Sequence, residues 1–283
     1  MPELPEVETV RRYLQACLPG QQVAEVTLYR ADLRYPMPVE ELRQLPGQTL
    51  AAVQRRAKYL LLTTASGPTL LVHLGMSGRL FVEPAAAGDA PERRKHEHWR
   101  MRLQGPQGDQ WLRYVDARRF GSLDVAAEAL RHPLLAGLGP EPLEGAFDAQ
   151  VLLQACSGRQ VAIKQVLMDS AVVVGIGNIY ASETCYRAKV SPLRPALSLT
   201  LQQCAELVRA SRGVLEEAIA AGGSTLRDFA SGDEKPGYFQ QRLDVYDRKG
   251  QPCHRCEQAG VVSAVVKAVL GQRATYWCPT CQP

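Results

Sequence analysis

Pro2 and Glu3 place a secondary amine and a carboxyl group side by side at the start of the chain. A proline directly after an initiator methionine is normally uncovered by methionine trimming, which leaves Pro2 with a free α-amine. Such an amine has a pKa of about 7.7–8.0, so an appreciable fraction is unprotonated near neutral pH. It is a nucleophile toward a carbon at the aldehyde level and, being secondary, gives an iminium ion directly. Glu3 stands one residue away as a candidate proton shuttle. Alone the pair carries little weight, because most such termini are inert.

At the other end Cys253, Cys256, Cys278 and Cys281 form two Cys-x-x-Cys pairs separated by 21 residues. Four thiolates at this spacing can surround one Zn²⁺ tetrahedrally, the spacer lying just beyond the usual range of about 15–20 residues. Four protein thiolates leave no open coordination position, so the expected cofactor is one structural zinc ion. Two unligated pairs or a redox dithiol are the alternative. A redox motif, however, opens a helix beside a parallel sheet, and these pairs flank alternating Val-rich sequence. Arg273 falls near the turn of the hairpin expected between the pairs.

A third constellation is Gly175-Ile176-Gly177-Asn178. Two glycines permit positive φ, Asn178 suits a helix cap, and a helix start with open N–H groups attracts phosphate. An ordinary helical hairpin is the commoner meaning of such a stretch.

The elements that must position these groups follow from periodicity. Pro5, then Val7, Val10, Leu14 and Cys17 at helical spacing with Gly20 as a stop, predict a short helix within residues 1–20. Residues 23–125 read as short strands. In the clearest, Trp99, Met101 and Leu103 alternate with His98, Arg100 and Arg102, which predicts an outward basic face. Strands recurring after one helix suggest an antiparallel sandwich. Beyond a Pro- and Gly-rich stretch at 133–142 the pattern turns helical, with Thr200 as an N-cap and Gly222-Gly223 as a stop.

The chain has 283 residues, 46% of them hydrophobic and 22% charged, as expected of a soluble globular protein with a sizeable core. No apolar run reaches the roughly 18 residues that span a bilayer. The acidic start lacks the apolar core of a secretion signal, so a reducing cytoplasm is expected. Net charge is only +4, but Pro91–Phe120 holds eight basic residues against four acids. That excess fits a phosphate-tracking surface, with a solvated strand face as an equal alternative.

Several segments now combine. Met1-Pro2-Glu3-Leu4-Pro5-Glu6-Val7-Glu8-Thr9-Val10, Arg55-Arg56-Ala57-Lys58-Tyr59-Leu60, His73-Leu74-Gly75-Met76-Ser77-Gly78, Arg118-Arg119-Phe120-Gly121 and Gly175-Ile176-Gly177-Asn178-Ile179-Tyr180 occur in order. Together they resemble the bacterial formamidopyrimidine-DNA glycosylase family over essentially the whole chain.

The resemblance implies an α+β protein: an N-terminal β-sandwich with its helix over 1–132, a linker over 133–148, a helical helix–two-turn–helix domain over 149–238, and a four-cysteine zinc-finger β-hairpin over 245–283. It implies a bifunctional DNA glycosylase and AP lyase acting on damaged double-stranded DNA, with Pro2 as nucleophile and Glu3 shuttling protons. Lys58 would assist in the catalytic pocket, and Arg273 would hold the phosphate at the lesion. His96, Arg159, Lys164 and Asn178 match DNA-contact positions. Met76, Arg118 and Phe120 match side chains that fill the void when a nucleotide is extruded. One departure is Ala117, where the family commonly has proline, which puts the stiffness of that loop in question. Leu4 and Lys235-Pro236-Gly237-Tyr238-Phe239 favour oxidised purines over the pyrimidine lesions of an endonuclease VIII-type relative. A non-catalytic zinc-finger DNA-binding protein is the rival from another class. A cytoplasmic, nucleoid-associated bacterial monomer is expected.

Overall fold

The computed structural model describes residues 2–85, 91–106, 108–223 and 243–283. The chain separates into two compact units. One holds the described residues up to Ala136 together with Gly222 and Gly223, and the other holds Gly137–Ala221 and the described residues from Leu243 onward.

The first unit opens with α1 (Leu4–Cys17), capped at Glu3 and carrying Pro5 in its first turn. Glu6 reaches back so that its carboxylate accepts the Glu3 N–H at 2.8 Å, half of a capping box. The strands β1 (Gln22–Leu28), β2 (Leu50–Arg56), β3 (Tyr59–Thr64), β4 (Thr69–His73), β5 (Arg79–Pro84), β6 (Glu97–Gln104), β7 (Gln110–Val115) and β8 (Ser122–Ala126) follow, with α2 (Val39–Arg43) between β1 and β2. They form two antiparallel sheets, ordered β1-β6-β7-β5 and β2-β3-β4-β8. Register is set by pairs such as Val26 opposite Met101 and Val72 opposite Leu123. Trp99, Met101 and Leu103 from one sheet meet Leu60, Leu62 and Val72 from the other, and Val7, Val10 and Leu14 of α1 close the same core. The Trp99 and Tyr114 rings stack 5.3 Å apart within it.

The outward basic face expected on β6 does not exist as such. His98 and Arg100 are 5% and 7% exposed, and Arg113 on neighbouring β7 is 2% exposed. Arg100 lies 4.5 Å over Trp111, Arg113 pairs with Glu83 and Glu97, and Arg102 pairs with Asp109. The guanidinium groups are consumed by neighbouring aromatics and carboxylates, which counting charges along the chain cannot reveal.

The second unit contains α4 (Ala149–Cys156), α5 (Ile163–Leu167), α6 (Asn178–Arg187) and α7 (Leu201–Ala220), after a single turn, α3 (Pro133–Ala136), ends the first. Thr200 caps α7, as the sequence predicts, and Gln203 completes a capping box. The segment expected to be a linker is anchored at several points. Phe147 is fully buried, and Arg212 of α7 donates to the carbonyls of Pro142, Glu144 and Phe147. A short helix α8 (His254–Gln258) and the hairpin β9 (Val266–Leu270) with β10 (Arg273–Trp277) complete it. Gly271 and Gln272 have φ of 53° and 60°, the two left-handed residues of a type I′ turn.

Candidate functional site

Pro2 and Glu3 sit buried at the start of α1, and Glu3 is 2% exposed. The helix is fixed to the β2–β3 hairpin by an ion pair between Glu8 and Arg55 at 3.2 Å, and Arg55 also donates to the Ala57 carbonyl. Ala57, at φ 54°, forms the turn that presents Lys58. His73, at the end of β4, lies within electrostatic reach of Lys58. Its imidazole is held down to about 4 by burial and by the charges of Lys58 and Arg34. His73 Nδ1 accepts the Gly75 N–H at 3.1 Å, so the neutral ring carries its proton on Nε2.

Met76, Arg118 and Phe120 come from two connections, β4–β5 and β7–β8, that the fold brings together. Gly75, at φ 64°, packs so tightly that a Cβ there would lie 2.3 Å from the Phe120 carbonyl carbon. Arg118 and Phe120 are exposed, with the guanidinium 4.9 Å over the ring. Asp116, fully buried, accepts from Ser77, Arg118 N–H, Gly121 N–H and Tyr114. The loop that carries Ala117 is thus hydrogen-bonded to this carboxylate on both sides, at Arg118 and Gly121. Sequence reasoning counted Asp116 only as a charge, and its place directly before Ala117-Arg118 was the available signal. His96 is exposed at φ 63°, and its carbonyl accepts the Asp116 N–H.

In the second unit Lys164 is 1% exposed, and its ammonium donates to Asn178 Oδ1 (2.7 Å), Thr275 Oγ1 (2.9 Å) and the Ala274 carbonyl (3.1 Å). Among the described residues the Lys164 ammonium is thus tied to α6 and β10. Asn178 is not the helix cap, which is Gly177. Its amide turns to Ala274 and Tyr246 instead. Arg273 opens β10 and is exposed; with Lys164, Gln165, Met168, Leu270 and Gly271 it lines a cavity of about 170 Å³. Arg159 is exposed and paired with Asp169 at 3.0 Å. An exposed pair of this kind is worth little and yields readily to a phosphate.

The four cysteine sulfurs lie within 4.8 Å of one another. Cys253 to Cys281 is 3.8 Å and Cys256 to Cys278 is 3.6 Å. Tetrahedral zinc with bonds of about 2.3 Å puts its sulfurs about 3.8 Å apart, so the cluster fits a metal of that size. Glu183 of α6, 1% exposed, accepts the N–H groups of Asp244, Val245 and Tyr246 and so docks the start of this module. The Lys235–Phe239 segment lies outside the described residues.

Comparison with known proteins gives one consistent outcome. The family model described as the formamidopyrimidine-DNA glycosylase N-terminal domain matches residues 1–123, and the H2TH domain model of the same enzyme matches 138–230. Formamidopyrimidine-DNA glycosylase of Stenotrophomonas maltophilia is 51% identical over 282 residues, covering 100% of each chain, and that of Alkalilimnicola ehrlichii is 48% identical with the same coverage. The crystal structure of MutM (Fpg) from Thermus thermophilus superposes with a TM-score of 0.84 at 37% identity, covering 99% of this chain and 98% of that one. Lactococcus lactis Fpg, in complex with abasic-site DNA, gives 0.87 at 31% identity with 99% coverage of both chains. The chain is a member of the formamidopyrimidine-DNA glycosylase family.

Proposed function

We propose that this protein excises oxidised purines, 8-oxoguanine and formamidopyrimidines, from duplex DNA and then cleaves the strand at the same site. The observation that carries the reading is the Pro2-Glu3 pair at the start of α1, in a chain that matches formamidopyrimidine-DNA glycosylases along its whole length. The Pro2 nitrogen attacks C1′ of the damaged nucleotide, and the glycosidic electron pair leaves with the base, which takes up a proton. The C1′–O4′ bond then breaks, O4′ taking up a proton from Glu3 as the nitrogen lone pair forms the iminium, and this ring-opened iminium makes the C2′ proton acidic. Its loss expels the 3′ phosphate, a second elimination expels the 5′ phosphate, and a one-nucleotide gap remains. Glu3 shuttles the protons, and Lys58 and Arg273 steady the phosphates. A zinc ion in the four-thiolate cluster would be structural.

The nucleotide must leave the stack for this chemistry, and extrusion costs least for a damaged base, which favours lesions over unmodified DNA. Met76, Arg118 and Phe120 are the side chains that would occupy the vacated space. The partner is damaged double-stranded DNA, and the protein is proposed to act as a cytoplasmic monomer at the nucleoid.

Borohydride trapping tests the reading. Protein shown by mass spectrometry to begin at Pro2 should be captured covalently on abasic or 8-oxoguanine duplex. Retained Met1 or an N-terminal tag should abolish capture while DNA binding persists, and Pro2→Gly should keep part of it. Full capture by protein that retains Met1 would falsify the mechanism.

A further inference from the structure

We infer that Asp116 is a positioning residue: its carboxylate sets the loop that carries Arg118 and Phe120, and locks that loop to Met76, so that the three act on the duplex as one rigid wedge. The inference deepens the function proposed above and rests on it.

Asp116 is 0% exposed, and each of its oxygens is engaged twice. Oδ1 accepts from Ser77 Oγ at 2.6 Å and from the Arg118 N–H at 3.1 Å. Oδ2 accepts from the Gly121 N–H at 2.9 Å and from Tyr114 at 3.2 Å. The carboxylate therefore grips both ends of Arg118-Arg119-Phe120-Gly121, a stretch that includes Arg119 at φ 56°. Ser77, next to Met76, also accepts the Arg118 N–H at 3.2 Å, which joins the β4–β5 turn to the β7–β8 loop. The main chain of Asp116 adds a third loop, donating to the His96 carbonyl at 3.0 Å and accepting from His98 Nε2 at 2.7 Å. The Gly121 carbonyl accepts the Arg34 N–H at 3.1 Å, which brings in the chain beside exposed Tyr35.

The chemistry of this grip admits only a carboxylate. Backbone N–H groups can donate and nothing else, and one is aimed at each oxygen. An asparagine amide offers a single oxygen. Whichever way it turned, its NH₂ would face either Arg118 N–H or Gly121 N–H, and that end of the loop would be released. The loop has no slack to absorb this, since a Cβ on Gly121 would lie 1.7 Å from the Tyr114 hydroxyl and one on Gly75 would lie 2.3 Å from Phe120 backbone. The exposed side chains of Arg118 and Phe120 take their aim from the backbone beneath them.

The test compares binding to a lesion opposite cytosine with binding to the same lesion opposite an abasic position. It uses the full-length wild type, Arg118→Ala, Asp116→Asn and the double variant, with melting temperature and borohydride trapping recorded alongside. A base-edge contact by Arg118 should give the wild type a preference of about five- to 150-fold for the paired duplex. Arg118→Ala should remove it. Asp116→Asn should remove most of it, leave the salt dependence of binding unchanged and preserve trapping on the unpaired duplex. The double variant should lose no more than Arg118→Ala alone. Asp116→Asn that melts earlier yet keeps the preference, or losses that add in the double variant, would overturn the role of Asp116 while leaving Arg118 standing. A preference unaffected by Arg118→Ala would overturn both. Ser77→Ala, which keeps the carboxylate, covers the case in which Asp116→Asn is insoluble: a partial loss of preference supports the inference, and a wild-type preference refutes it.

Discussion

The Lys164 ammonium donates to the Asn178 side chain at 2.7 Å, and both residues also donate to the Ala274 carbonyl. Two residues that sequence resemblance sends to the DNA are thus bonded to each other and to β10. Together they dock the hairpin on α5 and α6.

Lys164→Met should therefore act on stability. It takes the ammonium donor from Asn178 Oδ1 and Thr275 Oγ1 in a buried place, while Ala274 keeps the Asn178 amide, at a cost of about 1–3 kcal/mol for each acceptor left unpaired. Urea denaturation should show the second unit weakened. The slope of DNA affinity against salt should stay at its wild-type value, because no exposed cation has been removed. A slope flattened by about one unit with unchanged stability would instead show that Lys164 serves a phosphate.

Metal and hairpin should be lost together. Cys256→Ser opens the thiolate set, and binding energy of such sites is folding energy. Elemental analysis should find about one zinc per wild-type chain and none in the variant, with DNA binding weakened and the sandwich still folded. Active protein free of zinc would contradict the assignment.

His73 should leave a mark on the pH profile of stability. Its folded pKa of about 4 lies below the ordinary 6.5, so the unfolded chain holds the proton more tightly. Stability present at pH 7 is lost as pH falls from about 6.5 to about 4. His73→Asn can still accept from Gly75 but does not titrate there. The advantage of wild type over the variant should shrink by about 2–3 kcal/mol across that window. Urea midpoints at pH 4, 5, 6 and 7 measure it, and a constant difference would show that His73 does not titrate in this way.

Much of the architecture was legible because it is written in local chemistry. The Pro5 helix start, the Thr200 capping box and the turn before Arg273 are each decided by a few adjacent residues. The cysteine cluster was legible for the same reason, since ligand spacing is short-range. What escaped was pairing between distant positions. Arg113 finds Glu83 thirty residues upstream, and Lys164 finds Thr275 from another element, so residues that look like surface cations are internal. Asp116 escaped in the same way: its place before Ala117-Arg118 points to the loop, but does not show that Ser77, 39 residues upstream, closes on the same carboxylate.

The burial of Trp99 and Trp111 within the first unit also has an optical consequence. Of the three tryptophans in the chain, only Trp277 lies in the second unit, beside Cys278 of the four-cysteine cluster. Substituting Trp99 and Trp111 by phenylalanine would leave one intrinsic fluorophore on the hairpin. Its emission would then follow metal loss and hairpin unfolding, while the wild-type signal is dominated by the sandwich. Each unit carries its own reporter, with no label attached near the amine of Pro2.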